Sequence, residues 1–275
     1  MDPILTDSLT LIGLNVLLWL VSLPLGKTYP VDFIWSNWPI YQASMIYCRS
    51  GMSGNKDRQI MVFCLVCVWG FRLTNNFYAR GGIGHEDWRY TDMREKFGKN
   101  FWWVSLFSVF LGQTIFLFLP CLSLYGAIES EDPLEALDWV GGAIMFLGIM
   151  LETVSDQQMN DFIERKKIGK VTDPVIHEGL WCYSRHPNYL GEILVWWGLY
   201  VFSLTKTDFW KVSGPISITL LFVCVSVKLM EDRQLKNKGD AYRKYQQEVG
   251  SPLLLLPLAA NRWIGGLSCN TSTLK

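Results

Sequence analysis

The sequence predicts an all-α fold: an integral membrane helix bundle of about seven transmembrane helices. Three observations predict it. Half of the 275 residues are hydrophobic and 13 are tryptophan. Stretches that approach the roughly 20 predominantly apolar residues needed to cross a hydrocarbon core as helix recur along the chain. The segments between them sort by charge, with basic and acidic loops kept apart.

Taken in order, the first stretch runs from Leu9 to Leu25. Asp2 and Asp7 stand ahead of it where a secretory signal would carry basic residues, and Ser22-Leu23-Pro24 is a poor cleavage site, so the stretch reads as a retained span. Ile34 to Cys48 is a weaker candidate. Ile60 to Phe71, Trp102 to Tyr125, Ala136 to Val154, Leu190 to Leu204 and Val212 to Met230 complete the set, some of them with help from flanking polar residues. Between the third and fourth, GGIGHEDWRYTDMREKFGKN passes from a glycine-rich turn into mixed charge with interleaved aromatics. That pattern predicts an interfacial helix with Trp88 and Tyr90 at headgroup level. The carboxyl-terminal SPLLLLPL, bounded by Pro252 and Pro257, is too short to span and is expected to pack on the bundle or lie in the interface.

Lysine and arginine gather in Arg72 to Lys99, in Arg165 to Arg185 and after Lys228, whereas Gly126 to Asp138 holds five acids and no base. Seven spans put all three basic segments on one face and the acidic loop on the other, which predicts a cytosolic carboxyl terminus. Arg49, Lys56 and Arg58 are left on the acidic face, whereas six spans, without Ile34 to Cys48, put them inside with the amino terminus. Formal charge is zero and no basic tract suits nucleic acid. Cys64 and Cys67 enclose Leu65 and Val66 at lipid depth, which reads as packing rather than redox chemistry. His85, His177 and His186 have no second ligand at metal spacing, so no metal site is expected. Asn270-Thr271-Ser272 matches a glycosylation sequon that a cytosolic tail would leave unmodified. There is no repeat or long linker; the chain reads as one membrane domain, with substrate-side helices in 1–125 and a cofactor-binding half in 126–260.

Ionisable residues at membrane depth cost about 2.5–3.5 kcal/mol each and need partners or a polar cavity. Arg72 follows Trp69-Gly70-Phe71, Glu152 falls in the last turn of the fifth stretch, Glu192 lies one turn into the sixth, and Lys228 and Glu231 close the seventh. Beside Glu192 stands GLWCYSRHPNYLGE. His186 precedes a proline, which turns it from helical dihedrals, and Pro187 suits the first position of a helix. A span therefore starts there, its positive end beside Arg185 and Asn188, with Trp181, Tyr183 and Tyr189 offering flat surfaces for a ring. An interfacial aromatic belt with a capped helix explains the same stretch without a ligand.

GLWCYSRHPNYLGE, preceded by ETVSDQQ and followed by LMEDRQLKNKGDAYRKYQQEVGSPLLLLP, resembles the steroid 5-alpha-reductase-like membrane proteins, and WGFRLTNNFYAR with HEDWRY points to an uncharacterised branch of them. The likeness covers about Asp32 to Pro257. Its superfamily also includes sterol C14 reductases and isoprenylcysteine carboxyl methyltransferases. The resemblance implies an endoplasmic reticulum enzyme that passes hydride from NADPH to a conjugated double bond of an apolar lipid, sterol or isoprenoid-like substrate. It implies cofactor contacts at Arg72, Arg80, Asp156, Tyr183 and Asn188, an acid near the nicotinamide at Glu192, and further contacts at Arg165, Arg185, His186, Glu231 and Tyr242, with Tyr189 beside them as a flat surface for the cofactor's ring. The steroid enzymes place a tyrosine three residues before the equivalent of Arg72, where this chain has Trp69. Asp32 is the alternative proton donor, since partial burial raises a carboxyl pKa, although an N-cap for a helix beginning at Phe33 explains it equally. The same motif and tail are compatible with an S-adenosylmethionine-dependent methyltransferase, and with a non-catalytic protein of the same fold.

Overall fold

A computed structural model describes residues 2–51, 53–204, 209–256 and 260. The sequon at Asn270 and the chain from Pro257, apart from residue 260, lie outside them. Among the described residues every regular element is helical. α1 spans Pro3–Leu25, α2 Pro30–Arg49, α3 Lys56–Ala79, α4 Trp88–Phe97, α5 Phe101–Ser105, α6 Leu111–Cys121, α7 Ser123–Glu129, α8 Ala136–Lys167, α9 Pro187–Ser203, α10 Ser213–Leu220, α11 Val227–Lys238 and α12 Asp240–Glu248. Five helical runs are long and apolar enough to cross a membrane: α1, α3, the run Trp88–Glu129 that strings α4 to α7 together, α8, and the run Phe209–Lys238. The protein is a membrane helix bundle. α2, at 20 residues, and α9, which at 17 residues reaches only about 26 Å, are not among these five.

The helix starts follow local chemistry. Asp2 caps α1 by accepting from the Ile4 and Leu5 amides, Asn55 caps α3 through Arg58, and Asp87 caps α4 through Arg89. α1 stops at Gly26, whose φ of 65° is one a side chain resists. A π turn at Leu106–Phe110 breaks the run between α5 and α6, and another at Leu221–Ser226 separates α10 from α11.

The chain forms two compact units, Met1–Ala143 with Trp196–Ser217, and Ile144–Val195 with Ile218–Lys275. In the first unit α2 is the central helix, packed on α1, α3, α6 and α7. Its end is tied to the start of α1 by an Arg49–Asp7 ion pair to which Tyr125 adds its hydroxyl. Arg58, fully buried, donates to both oxygens of the equally buried Asp138 and to the carbonyls of Ser130, Asp132 and Pro133. The misplaced base of the sequence is thus neutralised by the acidic loop itself. At the opposite end of α2 the HEDWRY segment is strapped down. Glu86 accepts from the Thr28 amide and hydroxyl at 3.0 and 2.8 Å, Arg94 donates to the Gly26 carbonyl, and Tyr90 donates to Asp32 at 2.8 Å. α2 thus runs antiparallel to α1 within the first unit.

In the second unit α8 and α9 meet at glycines. A Cβ on Gly191 would stand 2.5 Å from Glu152 Cγ and 2.7 Å from the Gly148 carbonyl, and one on Gly148 would stand 2.7 Å from the Gly191 carbonyl. Small residues on both faces let the backbones approach this closely. The helices outlast their apolar stretches: α3 carries Arg72 inside it, Glu152 sits in the body of α8 rather than in a last turn, and Lys228 and Glu231 lie within α11.

Candidate functional site

α9 begins at Pro187, as the proline and the residue before it predict. The backbone ahead of it is fastened to the tail. Arg185 N donates to the Ser251 carbonyl at 3.1 Å, Ser184 Oγ to the Leu253 carbonyl at 2.8 Å, and Leu256 N to the Tyr183 carbonyl at 3.1 Å. Residues 251–256 therefore pack as expected of an apolar segment too short to span.

Arg185 is only 9% exposed. Its Nε donates to Glu231 Oε1 at 2.6 Å, and its Nη1 to the Val249 and Gly250 carbonyls at 2.7 Å each. Gln246 donates to the second Glu231 oxygen at 3.0 Å. His186 Nε2 stands 3.4 Å from Glu231 Oε1, and the imidazole stacks on Tyr189 with centroids 5.1 Å apart and planes 7° from parallel. Tyr189 in turn meets Phe222. Burial holds the His186 pKa below its usual value despite the carboxylate beside it, so the ring is neutral at physiological pH. Burial likewise pushes the Tyr242 and Tyr245 hydroxyls up, and Tyr245 donates to the Trp181 carbonyl at 2.7 Å.

A second group forms on the facing sides of α8 and α9. Glu152, Asp156 and Glu192 are buried, at 3, 8 and 5% exposure. Asn188 Nδ2 lies 3.4 Å from Asp156 Oδ1, while Asn188 Oδ1 is buried with no donor among the described residues. Ser155 accepts the Trp181 indole N–H at its carbonyl, at 3.1 Å. Trp181 is thereby fixed next to this group.

The second unit thus gathers Asp156, Arg185, His186, Asn188, Tyr189, Glu192, Glu231 and Tyr242. Two other expected contacts stand at its margin: Tyr183 is 43% exposed, and Arg165, in the last turn of α8, pairs with Glu178. Asp32, Arg72 and Arg80 belong to the first unit. Asp32 neither caps α2, which begins two residues earlier at Pro30, nor stands alone, since Tyr90 donates to it. Burial raises its pKa to about 6, against the pull of Arg89 and the Tyr90 hydrogen bond. Trp69 is a core residue, packed edge-on against Trp196 at 5.2 Å. Gln158 and Gln246 were not expected. Gln158 accepts the Leu180 amide, and neither glutamine shows a charge or spacing in the sequence that would mark it.

Two proteins similar to this chain add to the geometry. An uncharacterized protein of Schizosaccharomyces pombe is 28% identical over 275 aligned residues, covering 90% of this chain and 79% of that one. Methanethiol S-methyltransferase 1 of Bradyrhizobium diazoefficiens is 26% identical over 176 residues, covering 57% of this chain and 58% of the methyltransferase. No solved structure matches. A family model described as Protein of unknown function (DUF1295) matches residues 18–249, and the chain belongs to that family.

Proposed function

We propose that the protein is a membrane enzyme whose second unit holds S-adenosylmethionine and transfers its methyl group to an apolar nucleophile such as a thiol. The observation that carries this reading is the direction of the buried arginine. Arg185, the one buried arginine among the described residues of the second unit, is turned into Glu231 and the carbonyls of its own chain, and so is not offered to a pyrophosphate. The similarity to a methanethiol S-methyltransferase supports the same class of reaction.

When bound, that cofactor supplies an electrophilic methyl carbon and takes back the electron pair of the broken carbon–sulfur bond. The chain supplies the rest. The Asp156 and Glu192 carboxylates balance the cationic centre, and Asn188 Oδ1, a buried acceptor in need of a donor, takes an amino hydrogen. His186, kept neutral by burial, accepts the proton of the acceptor thiol, with Glu231 3.4 Å away to stabilise the imidazolium. The apolar surroundings exclude water from a reactive electrophile. An endoplasmic reticulum membrane and a cytosolic carboxyl end are part of the same proposal.

Hydride transfer from NADPH is the second reading, placing the chain among the reductases of the steroid 5-alpha-reductase-like superfamily. Arg72 on α3 and Arg80 at its C-cap favour it, because two cations in the first unit suit a cofactor with several phosphates. Purified protein given S-adenosylmethionine labelled in the methyl group, with an alkanethiol of graded chain length, separates the two. The first reading expects labelled thioether, more of it with longer chains. Oxidation of NADPH by an enone substrate, without label transfer, overturns it.

A further inference from the structure

Three donors compete for the one carboxylate of Glu231. Arg185 Nε reaches Oε1 at 2.6 Å, Gln246 Nε2 reaches Oε2 at 3.0 Å, and His186 Nε2 stands off at 3.4 Å from Oε1. The side chains of Arg185, His186 and Glu231 are 9, 5 and 15% exposed, so water does little to decide among them. The imidazole has little room to improve its share, because it lies flat on Tyr189 with planes 7° from parallel. Whether His186 keeps its carboxylate therefore depends on how Glu231 is turned.

Arg185 alone would turn it away. A guanidinium and a carboxylate favour two parallel hydrogen bonds, yet Arg185 gives Glu231 one, through Nε, while its Nη1 is engaged by the Val249 and Gly250 carbonyls. The second carboxylate oxygen is taken by Gln246 instead. That amide is delivered from a fixed place, because its neighbours on both sides are tied down: Tyr245 donates to the Trp181 carbonyl at 2.7 Å, and the Val249 carbonyl accepts from Arg185. An amide nitrogen donates without carrying a charge, so it holds Oε2 and leaves Oε1 electrostatically free to face the imidazole. Tyr242 also faces Glu231 from α12, and burial keeps its hydroxyl protonated and uncharged. With Oε1 beside Nε2, the neutral ring carries its hydrogen on Nε2 and leaves Nδ1 as the nitrogen able to accept a proton.

We propose that Gln246 is a positioning residue for His186: by holding Oε2 of Glu231 it keeps Oε1 on the imidazole, and so sets which ring nitrogen acts as the base and how strongly. The reaction it serves rests on the methyl-transfer reading; the geometry it fixes does not. Gln246→Met removes the donor and keeps the length of the side chain. The chain has three histidines, so the His186 ring can be followed by NMR in the detergent-purified full chain between about pH 5 and 8, assigned against His186→Gln. Loss of the facing carboxylate is expected to lower the His186 pKa by about one unit in Gln246→Met. Label transfer from S-adenosylmethionine to an alkanethiol is expected to fall about three- to tenfold in kcat, with KM for the cofactor changed less than about twofold and the acid limb of the pH profile moved down by about one unit. Loosened packing alone would reduce the amount of active protein and move neither the pKa nor the limb. Should Gln246→Met fail to fold, Gln246→Asn, whose amide falls one carbon short of Glu231, is read with the same expectations. A His186 pKa that stays in place or rises in the folded variant overturns the proposal. A lowered pKa in a chain that transfers no methyl group upholds the positioning and overturns the methyl-transfer reading.

Discussion

Arg185 and Glu231 are joined by a 2.6 Å Nε to Oε1 hydrogen bond that ties the residue pair before α9 to the body of α11. The guanidinium is also the clasp for the tail, through the Val249 and Gly250 carbonyls. Removing one member of a buried pair leaves the other charge uncompensated, at about 3–5 kcal/mol. Glu231→Gln keeps a hydrogen-bond acceptor and is expected to lose about half as much as Arg185→Ala. Thermal unfolding of the two variants checks the order.

Arg58 and Asp138 are 80 residues apart in sequence and wholly buried. Either single replacement, Arg58→Met or Asp138→Leu, should destabilise by about 3–5 kcal/mol, and the double variant should recover most of that loss, because two apolar side chains need no partner. A double-mutant cycle in detergent measures it; additive losses would show that the pair is not the source of the effect.

At the α8–α9 contact, Gly191→Val would drive its side chain into Glu152 Cγ and the Gly148 carbonyl. The backbone there is rigid on both sides, so the expected result is loss of about 3 kcal/mol or more and of cofactor binding together. Gly13 in α1 has open space around it, and Gly13→Ala is the control that should be neutral or slightly stabilising. Tm and binding are read on both.

The acid at the start of α2 sets a pH dependence. Asp32 has a folded pKa of about 6, raised from 3.8 by burial, so the folded state holds its proton more firmly than the unfolded state. Its contribution to stability is therefore full below about pH 4 and is lost as pH rises through 6. Asp32→Asn should raise Tm at pH 7.5 more than at pH 5. His186 works in the opposite direction, since its depressed pKa makes stability fall as pH drops through about 6.5. Comparing Tm at pH 5 and 7.5 in Asp32→Asn and in His186→Gln separates the two.

The legible parts of the fold were those fixed by near neighbours. Pro187 announces the start of α9, the apolar runs mark the crossings, and the SPLLLLPL tail is too short to cross. Hydropathy places the ends of α3, α8 and α11 short of where they fall, because it reports where a helix leaves lipid, not where it stops. Beyond Val154, α8 continues through Gln157, Gln158, Met159, Glu164, Arg165 and Lys166, all good helix formers. Distant pairings could not be read at all. Nothing local tells Arg58 to seek Asp138, or Asp32 to meet Tyr90 across 58 residues. At the candidate site the residue types around Arg185 were legible, but their direction was not. Arg185, beside the positive end of α9, is bonded to Glu231 and two carbonyls rather than turned toward a ligand.

Calorimetric titration of the purified chain with S-adenosylmethionine and with NADPH, each repeated on Asn188→Ala, tests the cofactor assignment most directly. The account predicts micromolar binding of S-adenosylmethionine, weakened about tenfold or more in Asn188→Ala as a charged-group hydrogen bond of about 1.5–3 kcal/mol is lost, and no heat from NADPH. Binding of NADPH with none of S-adenosylmethionine would contradict it.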